Sequence, residues 1–281
     1  EAASTDLRVA TGLLDIRLIA GNADLVAAVQ LDAIEFWRKN AKENLADLHK
    51  SLQVRHARSG ELAYLLEPDL KEARGGLRDI QALRAISLSA AVTVPLEKIS
   101  WAEGTLNNVR ESLHIASGRG KDRLLFQEQD KVARLLNYPD ADAMMSDVAR
   151  AARSVDYLLD YTWHSLEHKG KDGLGRILKR PRVATVAKNV SASNREIVID
   201  PFTSLDDDPV VGLRAAATAA QLGLPLSLDT CTELAEKLKT GQGKLPTPWP
   251  REARELLISL IGAGETMVGV FESLDQEEII F

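Results

Sequence analysis

The sequence is poor in several residues and motifs whose absence narrows its function. One cysteine, Cys231, occurs in 281 residues, so no intrachain disulfide can form, and a reducing, cytoplasmic compartment is the expected location. Aromatic residues make up only 5%. Lys and Arg number 35 against 41 Asp and Glu, a net charge of −6, which argues against a broad nucleic-acid-binding surface. No apolar run approaches the roughly 20 residues that span a bilayer, and no secretory signal opens the chain. The sequence has no GxxxxGK[ST], GxGxxG, GxSxG or CxxC, and no His is followed by Asp. These absences remove the P-loop, the dinucleotide fingerprint, the nucleophile elbow, the thiol redox pair and the usual His-Asp metal hydrolase signature. His164 and His168 stand i, i+4, but Ser165, Leu166 and Glu167 between them do not make HExxH. The pair reads as chance spacing on a helix.

What remains is a chain long enough for one large or two ordinary domains, 45% hydrophobic and rich in Ala and Leu, a composition that favours helix. Helical spacing predicts helices over Asp6–Ala20, Leu25 to about Arg58, Leu77 to about Ala91, Leu106–Ser117, Leu124–Leu136 and Ala141–His168. Lys169–Arg182, rich in Gly, Lys and Arg, reads as a linker. Val183, Thr185, Val186 and Ile197–Ile199 around Ser191–Asn194 predict a small β-hairpin near 183–200. Asp206-Asp207-Asp208-Pro209 signals a helix start, with the helix running to Gln221, and Ser227–Leu238 and Arg251–Ile261 follow as helices. The fold class is therefore mainly α, with a little β.

One stretch, Tyr64–Leu83, gathers charge, glycine and a helix start. Glu67, Asp69 and Lys71 alternate, so a short strand over 64–71 would carry them on one face. Gly75-Gly76 makes a turn, and Leu77, Ile80, Leu83 and Ile86 begin a helix. Paired carboxylates suit Mg²⁺. Lys71, Arg74 and Arg78 suit phosphate, as do the N–H groups after Gly76, while Asp79 sits beside them. Together these residues describe a nucleoside triphosphate site. Charges on an edge strand can equally be only solvated, and Arg–Asp pairs can simply tie down a loop; spacing leaves both readings open. The basic loop Gly118-Arg119-Gly120-Lys121-Asp122-Arg123 is similarly either a solvated connection or a phosphate contact.

Leu66–Ile80, LEPDLKEARGGLRDI, resembles the segment LEPD-[IL]-K-x-x-x-GGLRD-[IL] of the protein-PII uridylyltransferase/uridylyl-removing enzymes, bifunctional bacterial nitrogen sensors. Asp6–Gly21, DLRVATGLLDIRLIAG, and Asp122–Tyr138, DRLLFQEQDKVARLLNY, are similar to flanking segments of the same family. Asp208–Asp229 looks like its body helix. The resemblance implies transfer of UMP or AMP from an NTP (UTP or ATP) with Mg²⁺ to a tyrosine of the PII signal protein. It implies a helical bundle completing a nucleotidyltransferase domain: residues 1–60 its tail, 61–170 the helical uridylyltransferase region, 171–281 a connector to a His-Asp hydrolase domain. Palm carboxylates would precede Glu1 and glutamine-sensing domains would follow Phe281, so both ends read as cuts and no catalytic residue is expected within the chain. Glu67, Asp69, Lys71, Arg74, Gly75, Gly76, Arg78 and Asp79 would bind nucleotide or phosphate. The related glutamine synthetase adenylyltransferase and a non-catalytic PII-binding helical module are the alternatives.

Overall fold

Helices form where apolar residues recur every three to four positions, and they end where the sequence supplies a cap. The computed structural model describes residues 6–169 and 183–279, which hold eleven α-helices and one three-stranded sheet. Two units divide at 169/170. The first carries α1 (Leu7–Leu14), α2 (Ala23–Lys39), α3 (Ala41–Ser59), α4 (Leu77–Leu88), α5 (Ser100–Ser117), α6 (Phe126–Leu135) and α7 (Ala141–Lys169). The second carries β1 (Ala184–Ala187), β2 (Val190–Ser193), β3 (Glu196–Ile199), α8 (Val211–Leu222), α9 (Leu228–Lys239), α10 (Arg251–Ile261) and α11 (Glu265–Gln276). The linker reading of 169–182 lies almost wholly outside the described residues. No single helix among them is long and apolar enough to cross a membrane.

In the first unit α7 is the spine. It is 29 residues long, and Val148, Ala151, Val155, Leu158 and Leu159 along it are buried. Those side chains share one core with Trp37 of α2, Leu48 and Leu52 of α3, and Ile80, Leu83 and Ile86 of α4. Residues 6–60 therefore pack into the same interior as residues 61–169. The indole of Trp37 is buried, and its Nε1–H donates to the Ala85 carbonyl at 2.8 Å, satisfying the ring's polar atom inside the core.

Several local expectations fail here: the helix expected over Asp6–Ala20 ends at Leu14, and the one expected from Leu106 already begins at Ser100. The helix expected from Leu25 to Arg58 is two helices broken at Asn40, whose φ of −106° and ψ of 20° leave the helical region. Asn40 Nδ2 donates back to the Phe36 carbonyl at 3.0 Å, ending α2 by local side-chain competition for a backbone group. The strand expected over 64–71 does not form. Leu62–Tyr64 is a 3₁₀ turn, and only an isolated antiparallel bridge joins Asp69 to Arg123. The Asp69 carboxylate accepts the N–H groups of Lys71 (3.0 Å) and Glu72 (2.8 Å), which bends the chain immediately after its one paired residue.

In the second unit the β-region expected near 183–200 is present with one strand more than a hairpin. β1, β2 and β3 form an antiparallel meander. Asn194 and Arg195, with φ of 54° and 63°, make the tight connection between β2 and β3, as a primed turn requires. Val190 and Ile197 turn inward onto a run of small residues in α8, including Ala215, Ala216 and Ala219, all within one core. Asp208 is not the cap of α8. The helix starts at Val211 without a side-chain cap, and the buried Asp208 carboxylate instead accepts two N–H groups of buried Arg214 at 2.7 and 3.1 Å. Arg214 also donates to Glu252 of α10 at 3.0 Å and to the Lys188 carbonyl at 3.1 Å, tying the sheet to two helices.

Burial alone would raise the Asp208 pKa; hydrogen bonds from Arg214 and Asn189, with the Arg214 and Lys188 charges, outweigh it and leave it lowered. A carboxyl whose folded pKa is depressed contributes stability that is complete above its unfolded value and lost as pH falls through the folded one. Acid titration of the chain should therefore weaken this unit below about pH 4. Asp208→Ala should cost about 3 kcal/mol at neutral pH and remove this part of the acid dependence, read by urea melts at pH 7 and pH 3.5.

Candidate functional site

The Gly75-Gly76 corner is shaped from within. Gly75 has φ +82°, and a Cβ there would stand 2.5 Å from the Ala152 carbonyl of α7. Glycine is thus required twice, by backbone conformation and by the closeness of α7. At Gly76 a Cβ would meet the Ala73 and Leu70 carbonyls at 2.8 and 2.9 Å. These carbonyls receive the corner's own donors: Gly76 N–H bonds Ala73, Leu77 N–H bonds Leu70, and Arg78 N–H bonds the Lys71 carbonyl, all within 3.1 Å. The α4 N-terminal donors expected to face an anion are therefore occupied by the loop that precedes them.

Asp79, in the first turn of α4, has no exposed surface. Its Oδ2 accepts Gly75 N–H at 2.7 Å. Its Oδ1 accepts a guanidinium N–H of Arg55, and His56 Nε2 lies 2.9 and 3.1 Å from its two oxygens. An ionised carboxylate only accepts, so the ring nitrogen facing it carries the proton. Arg55 reaches on through Nη1 to the Glu72 carbonyl at 2.7 Å. One carboxylate thereby joins α3, the glycine corner and α4.

Arg74 supplies the tie to α7. Its Nε donates to Asp156 Oδ1 at 2.6 Å and its Nη2 to Asp160 Oδ2 at 2.7 Å. Burial opposes the Arg74 charge, but the Asp156 hydrogen bond and the Asp156 and Asp160 charges outweigh it and raise its pKa. Burial pushes the Asp156 carboxyl up to about 6, against the pull of Arg74 and with the Asp160 and Asp79 charges adding to the rise. The two shifts belong to one unit. The cation is firmly held, and the cost of packing Asp156 and Asp160 beside it raises both carboxyls, burial being the main cause at each.

Glu67, Asp69 and Lys71 are brought to a different place, the loop before α6. Pro68 and Leu70 pair with residues 122–124: Leu70 N–H bonds the Asp122 carbonyl and Leu124 N–H the Pro68 carbonyl, both at 2.9 Å. Glu67 Oε1 accepts Phe126 N–H at the start of α6 (3.1 Å), and Arg123 lies 3.6 Å from its other oxygen. Lys71 Nζ lies 3.9 Å from Asp122, a carboxylate that also accepts Arg110 Nε at 2.6 Å and faces His114 Nε2 at 3.0 Å. Burial would raise Asp122; those partners, with the Arg110 and Lys71 charges, lower it. The Gly118–Arg123 loop is thus anchored by Asp122. Glu67 and Asp69 each spend one carboxylate oxygen on backbone N–H groups, Glu67 on Phe126 and Asp69 on Lys71 and Glu72. Among the described residues no three His, Cys, Asp or Glu side chains gather as a metal centre.

Arg78, and none of the other seven named residues, lines the cleft described next. This space of about 590 Å³ lies between α1, α3 and α4, with an apolar floor including Leu48, Leu52 and Ala82 and a rim of five arginines: Arg8, Arg55, Arg58, Arg78 and Arg84. Spacing had not joined Arg55, His56, Asp156 or Asp160 to the motif. They lie about 20 or 80 residues from it, and the i, i+4 repeat of Asp156 and Asp160 was the one local signal for the α7 pair.

A family model described as GlnD PII-uridylyltransferase matches residues 43–93 and 95–163. The chain is similar to the bifunctional uridylyltransferase/uridylyl-removing enzyme of Streptomyces coelicolor, 41% identical over all of this chain and 34% of that protein. Enzymes of the same name from Mycobacterium tuberculosis (32%, over 98% of this chain and 34% of the relative) and Corynebacterium glutamicum (28%, over 97% and 38%) are also similar. The chain spans about a third of the length of these curated relatives. No solved structure matches.

Gly75→Ala should destabilise the chain by about 3 kcal/mol, combining overpacking against Ala152 with a left-handed backbone. Gly118→Ala, where φ is +65° but nothing lies within 4 Å, should cost only about 1 kcal/mol; equal losses in thermal melts would refute the close-approach argument. A folded-state pKa above the unfolded one means that the Asp156 contribution falls as pH rises from about 4 through about 6. Carboxyl NMR should find its midpoint near 6, with that of Asp122 below the usual range.

Proposed function

The chain belongs to the GlnD PII-uridylyltransferase family, and on that premise we propose that it serves a nucleotidyltransferase acting on the PII signal protein. The reaction is transfer of UMP, or AMP, from a nucleoside triphosphate to a PII tyrosine, with removal of the same group by the full-length enzyme. The observation that carries this reading is the match over residues 43–93 and 95–163, which includes the corner that Asp79 locks. The chain's part is a rigid helical platform, and by itself it catalyses nothing.

Within that role the eight motif residues divide. Asp79, Gly75, Gly76 and Arg74 hold the corner against α3 and α7. Glu67, Asp69 and Lys71 hold the loop before α6. Arg78, half-exposed at the cleft, is the residue with a free approach to phosphate. The Mg²⁺ of such a reaction neutralises the triphosphate and aligns it for in-line attack; its ligands would be carboxylates other than Glu67 and Asp69. Glutamine sensing would belong to regulatory domains beyond this platform, and the working compartment is the cytoplasm.

The test uses the full-length enzyme with PII and α-labelled UTP or ATP. Label from UTP on a PII tyrosine supports uridylyl transfer, and label from ATP alone supports the adenylyl variant. Label from neither sinks the proposal. Asp79→Asn should lower kcat at least tenfold without rescue by higher nucleotide concentration, because it loosens the platform rather than nucleotide contact; unchanged kinetics would remove the corner from the mechanism.

A further inference from the structure

The arginine-rimmed cleft of the first unit has more positive groups than its carboxylates can hold. At its mouth two guanidiniums compete for one acid. Arg78 Nε lies 3.3 Å from Glu72 Oε1, and Arg58 Nη2 lies 3.9 Å from Glu72 Oε2. Arg58 is 73% exposed and Arg78 45% exposed, while Glu72 is 28% exposed. The remaining rim arginines have partners of their own: Arg55 on Asp79, Arg84 on Glu103 and Arg8 on Asp6. Arg58 and Arg78, brought together by the end of α3 and the start of α4, thus share one carboxylate, Glu72, and Asp15 is the other acid lining the cleft.

We infer that Arg58 and Arg78 form a polyphosphate subsite and that Glu72 is its internal stand-in, displaced when the ligand enters. A polyphosphate offers several oxygens to two planar guanidiniums, where Glu72 offers one carboxylate at long range. The apolar floor beneath, from Leu48, Leu52 and Ala82, suits a base or another flat group attached to those phosphates. The cleft volume, about 590 Å³, falls within the range of small-molecule sites. Glu72 can leave without unfolding the corner, because its structural contact is made by its backbone carbonyl, which holds Arg55. The subsite rests on the nucleotidyltransferase reading for its biological ligand. It requires of the chain itself only that polyphosphate bind.

Calorimetric titration of the 281-residue chain with UTP, ATP and inorganic tripolyphosphate tests this. The expected result is binding that weakens at least tenfold in Arg58→Ala/Arg78→Ala and tightens about threefold to tenfold in Glu72→Gln. A purely structural Glu72 would loosen binding when neutralised, so loosening overturns the stand-in role. UTP or ATP binding more tightly than tripolyphosphate assigns the floor to the base. Equal affinities leave the phosphate subsite intact and remove the base from it. No binding by the wild-type chain, or unchanged affinity in the double arginine variant with an unchanged thermal melt, overturns the subsite. The family reading fails separately: it falls if the full-length enzyme transfers no label to PII, and it stands if transfer proceeds with an unaltered KM for nucleotide in the arginine variant.

Discussion

A carboxylate with no contact to water organises the first unit. Asp79 is affordable inside an apolar core only because each of its oxygens is met, by Gly75 N–H, by Arg55 and by His56. A buried charge that loses its partners is far more costly than one never buried. The four groups therefore specify one another. The glycine corner must turn as it does to aim its N–H at Asp79, α3 must end where it does to present Arg55 and His56, and α4 must start at Leu77 to place the acid. Arg74 extends the same logic to α7 through Asp156 and Asp160.

This arrangement changes what the charged motif means chemically. Sequence order suggests a row of ligand-binding groups. In the fold, those groups spend their hydrogen-bonding capacity holding three helices and a loop at fixed angles. In the proposed role, such a corner would supply the fixed positioning on which phosphoryl and nucleotidyl transfer depends. At the cleft between α1, α3 and α4, Arg58 and Arg78 share Glu72.

The second unit uses the same device at smaller scale. Asp208 and Arg214, both buried, bind the sheet to α8 and α10. Its interior is otherwise alanine-rich, and small side chains let elements approach without large complementary knobs. A polar clamp then fixes a register that an alanine surface leaves loosely specified, which is the best-attested use of buried ion pairs.

Much of the helical architecture was legible in the chain because apolar spacing is a local property. Ile80, Leu83 and Ile86 face the core as their period requires, and Gly118 and Gly223 close helices in the left-handed conformation. The motif's identity was legible too, since LEPDLKEARGGLRDI carries it in fifteen adjacent letters. Three features were not. The break at Asn40 depends on a side chain choosing a backbone carbonyl over continued helix. The alternation at 67–71 implied a strand, but a strand needs a partner along its length, and residues 122–124 supply only one bridge. The roles of Glu67, Arg74 and Asp79 were decided by groups about 20 to 90 residues away. By itself the sequence determined which residues are apolar, which are charged and which glycines free the backbone. Only the tertiary structure decided which charges are paired inside and which stay at the surface, because pairing depends on distances in space that chain spacing does not encode.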